Sequence, residues 1–268
     1  MLGSIIGDIA GAEYEVYNPH SLDFEMPHYA ATFTDDTVLT CATADALLGD
    51  GDFAAAYLRW YGWYRSKVGF GPRFDDWGKA GLQAGAPAPA YQSWGNGSAM
   101  RVSPIGWLDI AEPDVLRMAA ASAMHTHDHP EAVRGAQVTA AIIAAARRLP
   151  LADRKAGAIE TATRLAPDYD ITTSIAARIE RDQRAFDVTC RGCVPVAIRA
   201  VLEAGSVEEA VRLAIWHGGD TDTLGAIAGS MAEAVFAGVP ADLAARFLPR
   251  LDDRIRALVE RWHARRAS

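Results

Sequence analysis

Cysteine is scarce in this chain: among 268 residues there are only Cys41, Cys190 and Cys193. An odd set of three in a chain this long fits a reducing compartment better than a disulfide framework. Cys190 and Cys193 have CxxC spacing. No second pair completes a zinc site and no strand-rich redox context surrounds them, so they read as structural thiols. A basic surplus is missing as well, since 34 acidic residues against 26 basic ones give a net charge of −8. That argues against a general nucleic-acid or anionic-membrane binder, which needs a positive field. It leaves a phosphate-bearing substrate open, because helix N-termini or a metal ion hold phosphate locally. No apolar run reaches the ~20 residues of a membrane span. The first residues lack a basic n-region, and Asp8 interrupts their apolar stretch. The expectation is a soluble, cytoplasmic protein with no membrane partner.

Alternating β-branched segments are hard to find, as are low-complexity tracts, internal repeats and composition-shifted linkers. Helical periodicity fills the chain instead, and with 50% of residues hydrophobic there is enough apolar mass for a large core. MLGSIIGDIAGAEYE places Gly3, Gly7 and Gly11 on one helical face, where missing side chains let a second helix approach closely. It is no dinucleotide fingerprint, because GxGxxG spacing and a preceding strand are absent. Residues 16–33 are irregular, with Pro19 and Pro27 breaking any helix. Helices follow over VLTCATADALL, from Phe53 through Ser66, and briefly over DDWGKAGLQA. From Val102 onward the pattern is almost wholly helical. One long helix starts at Pro130 with Glu131 in its first turn and Arg147 and Arg148 in its last. Ser206-Val207-Glu208-Glu209 offers capping chemistry for another. The predicted architecture is one all-α domain over residues 1–268, with roughly ten or more helices.

Three constellations carry chemistry. Thr34-Asp35-Asp36-Thr37 and Gly219-Asp220-Thr221-Asp222-Thr223 each present two carboxylates with adjacent hydroxyls. Such hard oxygen donors suit Mg²⁺, Mn²⁺ or Ca²⁺, whereas zinc and copper prefer nitrogen and sulfur. No HExxH is present, and Leu224 stands where an EF-hand loop needs its next ligand. Asp and Thr are also ordinary helix N-caps, so each cluster alone reads equally as a capped helix. The pair together points to a cation site, since four acids at two helix starts repel one another without cations. The second constellation, Gly95-Asn96-Gly97-Ser98-Ala99-Met100-Arg101, is either a backbone phosphate cradle or an Asn-Gly turn. The third, Met124-His125-Thr126-His127-Asp128-His129-Pro130-Glu131, offers a soft-metal tract, a set of caps, or one histidine that donates to a phosphate or ribose hydroxyl. Among the aromatics, Phe70 in its Gly-flanked loop is the one expected near a base, while Trp63, Phe74 and Trp94 read as packing residues.

GSIIGDIAGAEYE, FTDDTVLT, GNGSAMRVSPIG, THDHPEA and HGGDTDTLGAIAG, in this order across nearly the whole chain, resemble the ADP-ribosylglycohydrolase family. That family includes the dinitrogenase-reductase-activating glycohydrolases. The resemblance implies a single-domain orthogonal bundle of helices holding two Mg²⁺ ions, or Mn²⁺, at helix N-termini beside an ADP-ribose cleft. It implies Thr34, Asp35 and Asp36 as one ligand set and Asp220, Asp222 and Thr223 as the other, with Asp222 bridging. Glu15 matches the acidic residue lying over the metals, as general base or gate. Gly95, Asn96, Gly97, Ser98, Ala99 and Met100 match the segment that contacts phosphates and ribose, and His127 matches the histidine on the same side. KVGFGPRF matches the family's Gly-rich substrate loop only loosely. The implied activity is metal-dependent hydrolysis of a glycosidic bond, releasing ADP-ribose from a modified protein or small molecule. Nucleic acid enters only as a modified substrate. Glu15, Asp35, Asp36 and Asp222 are then the catalytic acids. Two other readings stand beside it: a non-catalytic ADP-ribose-binding protein, and a di-metal phosphohydrolase acting on a nucleotide diphosphate.

Overall fold

Helical periodicity becomes fifteen α-helices among residues 1–267, which the computed structural model describes. In order they are α1 (Leu2–Gly11), α2 (Asp35–Leu48), α3 (Phe53–Tyr64), α4 (Pro72–Ala84), α5 (Gly97–Met100), α6 (Ser103–Gly106), α7 (Glu112–Met124) and α8 (Pro130–Ala146). Then follow α9 (Arg154–Leu165), α10 (Ile175–Asp182), α11 (Cys190–Glu203), α12 (Val207–His217), α13 (Thr221–Val235), α14 (Ala241–Phe247) and α15 (Asp253–Ala267). Among the described residues there is no strand, only an isolated antiparallel bridge between Gly95 and Thr189. The all-α expectation therefore holds. The helix expected over DDWGKAGLQA starts three residues earlier, at Pro72, whose fixed φ suits a first helical turn.

Helix α13 lies at the centre, with every residue from Thr221 to Val235 buried. Its sequence explains this: TDTLGAIAGSMAEAV has no wide polar face, so a helix formed from it is stable only when surrounded. Helices α1, α8, α11 and α12 surround it. Contact with α1 is closest, because glycines face each other across the interface. A Cβ added to Gly3 would lie 2.1 Å from the Gly229 carbonyl oxygen, and one on Gly7 would lie 1.9 Å from that of Gly225. One on Gly11 would lie 2.2 Å from the Thr221 carbonyl oxygen. The pairing runs 3–229, 7–225 and 11–221, so the helices are antiparallel and the end of α1 meets the start of α13.

Between α12 and α13 the chain reverses through Gly218 and Gly219, with φ of 84° and 83°. Side-chain-bearing residues rarely adopt that region, and a Cβ on Gly218 would also fall 2.3 Å from Asn18 Oδ1. The Gly219 N–H donates to the same oxygen at 2.9 Å. Ser206 caps α12 by accepting from the Glu209 N–H at 3.1 Å, as its sequence suggests. No helix is long and apolar enough to cross a membrane among the described residues.

Candidate active site

The α1–α13 register decides where the acids meet. Past Gly11 the chain makes one 3₁₀ turn, Ala12–Tyr14, which sets Glu15 over the N-terminus of α13. Carboxylate oxygens of Glu15, Asp220 and Asp222 all lie within 4.8 Å of one another. Asp220 stands at the N-cap position, yet its side chain makes no capping bond. It accepts from Asn96 Nδ2 at 2.6 Å instead, and so remains turned toward the cluster. Asp222 accepts from the Thr223 N–H at 2.7 Å.

The second cluster arrives on α2, and an unforeseen residue positions it. Asp8, fully buried in α1, accepts from the Thr34 N–H at 3.0 Å and from Thr34 Oγ1 at 2.7 Å. It also accepts from the Thr37 N–H at 3.0 Å and from Thr37 Oγ1. One carboxylate thus gathers both threonines of TDDT and fixes the entry of α2. Thr34 in turn caps the helix, its Oγ1 accepting from the Asp36 N–H at 3.2 Å. The cap reading of TDDT is therefore correct for Thr34, while Asp35 and Asp36 are left for other work. From the sequence Asp8 was legible only as an interruption in an apolar stretch. A charged residue on an otherwise buried helix was the available signal.

The two clusters face one cleft: Thr34, Asp35, Asp36, Asp220, Asp222, Thr223 and Glu15 all line it. Thr223 Oγ1 lies 3.4 Å from Asp36 Oδ2. Burial, reinforced by like charges, makes these acids reluctant to ionise. Burial and the Asp222 charge raise Glu15 to about 8. Burial and the Asp8 charge raise Asp35 to about 7, and burial raises Asp220 to about 7. Asp36 and Asp222 are pushed well above the usual carboxylate range by burial and by neighbouring acids. Asp36 Oδ1 is buried with no hydrogen-bond partner among the described residues. An orphaned carboxylate oxygen among converging, half-neutralised acids is the environment a hard divalent cation satisfies, and the donor set fits one.

The cleft has a volume of about 720 Å³, within the range of small-molecule sites. Gly95, Asn96, Gly97 and Met100 line it, and so does His127. His127 is buried, and Gly97 makes room for it: a Cβ there would lie 2.8 Å from His127 Nε2. Burial, then the charges of Arg101 and Arg73, hold this imidazole well below its usual range, so it is neutral. Ser98 and Ala99 depart from the expected contact segment. Both are buried away from the lining, and the Ser98 hydroxyl donates to the Ala132 carbonyl at 2.8 Å, joining α5 to α8.

Phe70 does not itself line the cleft, although Gly69 and Gly71 on either side of it do. It stacks on Phe74 with centroids 5.5 Å apart and sits edge-on to Tyr61 at 5.1 Å. Phe74, Tyr91 and the exposed Phe186 bring rings to the cleft instead. Sequence reasoning missed Tyr91 and Phe186 because they lie in segments without periodicity. The CxxC thiols lie beneath the same loop, with Cys190 Sγ 3.3 Å from the Gly95 carbonyl and Cys193 Sγ 3.2 Å from Asn96 Nδ2. All three cysteines are free and buried, and burial raises their thiols. That is the environment of inert structural cysteine.

The ADP-ribosylglycohydrolase family model matches residues 1–268. A solved structure described as an ADP-ribosylglycohydrolase-related protein complex is similar at 26% identity and a TM-score of 0.65, covering 96% of this chain and 91% of that one. No curated protein matches the chain. A family model spanning the whole sequence, over an all-α frame that brings its acidic motifs to one cleft, supports one conclusion. The chain belongs to the ADP-ribosylglycohydrolase family.

Proposed function

We propose that the chain, acting as one domain, hydrolyses the glycosidic bond between ADP-ribose and a modified protein or small molecule. The observation that carries this reading is the convergence of Glu15, Asp220 and Asp222 within 4.8 Å, in a cleft that the Gly95–Gly97 turn and His127 also line. Thr34, Asp35 and Asp36 on one side, with Asp220, Asp222 and Thr223 on the other, would hold two divalent cations, Mg²⁺ or Mn²⁺. Bound there, the cations supply Lewis acidity toward ribose hydroxyls and an attacking water. Residues of the chain do the rest. Once cation binding has displaced their protons, these carboxylates would offset the positive charge that develops at the anomeric carbon in an oxocarbenium-like transition state. Glu15 is the member of the close trio that is only half-buried, so it can exchange a proton with water entering the cleft. His127, neutral and held against Gly97, binds the phosphate or ribose side of the ligand. Phe74 and Tyr91 offer apolar faces to its flat parts. Reduced, buried thiols agree with a cytoplasmic location.

Both motifs carry a full set of oxygen ligands in this chain, which favours turnover over binding alone. The test is incubation with a panel of ADP-ribosylated proteins and small molecules plus Mg²⁺, with products identified by mass spectrometry. Free ADP-ribose supports the proposal and identifies the acceptor. AMP would replace it with diphosphate hydrolysis, and binding without any product would replace it with a non-catalytic ADP-ribose-binding role.

A further inference from the structure

Arg101, directly after the Gly95–Met100 segment, is fully buried, and among the described residues no carboxylate pairs with it. A buried, unpaired guanidinium is costly to keep. Its planar face lies over the Tyr57 ring at 4.1 Å, while Nε and Nη1 have no hydrogen-bond partner among the described residues. Its polar contacts come from Nη2 alone, which donates to the Ser122 carbonyl at 3.1 Å and to Thr126 Oγ1 at 2.7 Å. Thr126 Oγ1 lies 2.8 Å from His127 Nδ1. The far nitrogen of that ring, Nε2, points at Gly97 in the cleft.

Hydrogen-bond inventory gives this chain of contacts a direction. A guanidinium only donates, and a threonine hydroxyl has one proton and two lone pairs. Arg101 occupies one lone pair of Thr126. Of the two groups hydrogen-bonded to Thr126 Oγ1 at 2.7 and 2.8 Å, only His127 Nδ1 can accept. The threonine proton is then directed to His127 Nδ1, which must accept. A neutral imidazole that accepts at Nδ1 carries its proton on Nε2. We infer that Arg101 and Thr126 are positioning residues that fix His127 as the Nε2–H tautomer, making it an obligate hydrogen-bond donor to the ligand in the cleft. The arrangement explains why a lone cation is kept in the core: it orients a hydroxyl whose other end sets the site's donor pattern.

The inference leans on the ADP-ribose reading only for the identity of the ligand, so its test has two arms. In ¹⁵N-histidine-labelled protein, long-range ¹H–¹⁵N correlation at neutral pH reads the His127 tautomer, with His127→Gln providing the assignment. Wild type and Thr126→Ser should show a protonated Nε2 and a bare Nδ1. Thr126→Val keeps the shape but loses the hydroxyl, and should lose the pure Nε2–H state, as should Arg101→Met if it keeps its helical circular dichroism. Calorimetry with ADP-ribose as the probe should show binding about tenfold weaker in Thr126→Val, and within about threefold of wild type in Thr126→Ser. An Nδ1–H tautomer in wild type, or an unchanged Nε2–H tautomer in Thr126→Val, overturns the inference. The predicted tautomers with no ADP-ribose binding by wild type would support the relay and remove the ligand assignment.

Discussion

The Thr221 hydroxyl donates to the Gly11 carbonyl at 2.8 Å, tying the last residue of α1 to the first of α13. Beside this bond the two backbones touch without side chains between them. That contact fixes the height of Glu15 over Asp220 and Asp222, so helix packing and site geometry are one feature. Alanine is the better helix former by about 1 kcal/mol over glycine. At position 7, however, its Cβ would sit 1.9 Å from the Gly225 carbonyl oxygen, a backbone atom that cannot swing aside. Overpacking wins. Gly7→Ala should lose about 2 kcal/mol or more, read as a lower urea midpoint at unchanged slope. A midpoint equal to wild type would contradict the register.

Asp8 organises the TDDT corner by accepting from four donors, the N–H and hydroxyl groups of Thr34 and Thr37. Replacing it with alanine leaves two backbone N–H groups without their acceptor, each worth about 1–3 kcal/mol when buried. Asp8→Ala should therefore be less stable by about 3 kcal/mol in denaturant titration. It should also bind Mg²⁺ more weakly, because Asp35 and Asp36 lose their placement. Unchanged stability would show that the corner holds itself.

The raised acids set a pH dependence with a definite sign. Glu15 moves from 4.5 to about 8, and Asp35 and Asp220 move from 3.8 to about 7. In metal-free protein the native state keeps these protons while the unfolded chain has lost them. Stability from these groups is thus fully present below about pH 4 and is lost as pH rises through 7 to 8. Cation binding displaces the same protons. Scanning calorimetry should then show a larger Mg²⁺-induced gain in Tm at pH 8 than at pH 6. Equal gains at both pH values would refute protonated acids as the resting state.

Gly97 is predicted to matter for the ligand rather than for the fold. A Cβ there would come within 2.8 Å of His127 Nε2, a side-chain atom able to move. Gly97→Ala should shift His127 and weaken ADP-ribose binding about tenfold, on the order of one lost hydrogen bond. Its Tm should stay within a few degrees of wild type, and a large drop would mean that the glycine serves packing instead.

Much of this was legible in the sequence, for physical reasons. Helical period, the four-residue spacing of Gly3, Gly7 and Gly11, and the caps at Thr34 and Ser206 are local signals, and local structure follows them. The paired acids were visible because hard-ligand clusters at two helix starts are uncommon without a use. Three-dimensional partnerships were not visible. Asp8 bonds across 26 residues to Thr34, and Arg101 across 25 to Thr126, and no spacing rule encodes either contact. Phe70 precedes α4, whereas Phe74 lies in its first turn. Composition of the Gly-flanked loop favoured Phe70, but the start of α4 at Pro72 brings Phe74 to the cleft and turns Phe70 against Tyr61. The resemblance places Ser98 in the segment that contacts phosphates and ribose, whereas the demand of a buried donor for an acceptor directs its hydroxyl to Ala132.

Asp222 stands where both clusters and Glu15 converge, so one substitution tests the central claim. Release of ADP-ribose from the substrate that the panel identifies should be measured for wild type and Asp222→Ala, with Mg²⁺ and with EDTA. Wild type with Mg²⁺ should release it, while wild type in EDTA and the variant in either condition should fall by at least about a hundredfold, with the helical circular dichroism of the variant intact. Full activity of Asp222→Ala in EDTA would contradict a cation-dependent glycohydrolase centre at this cleft.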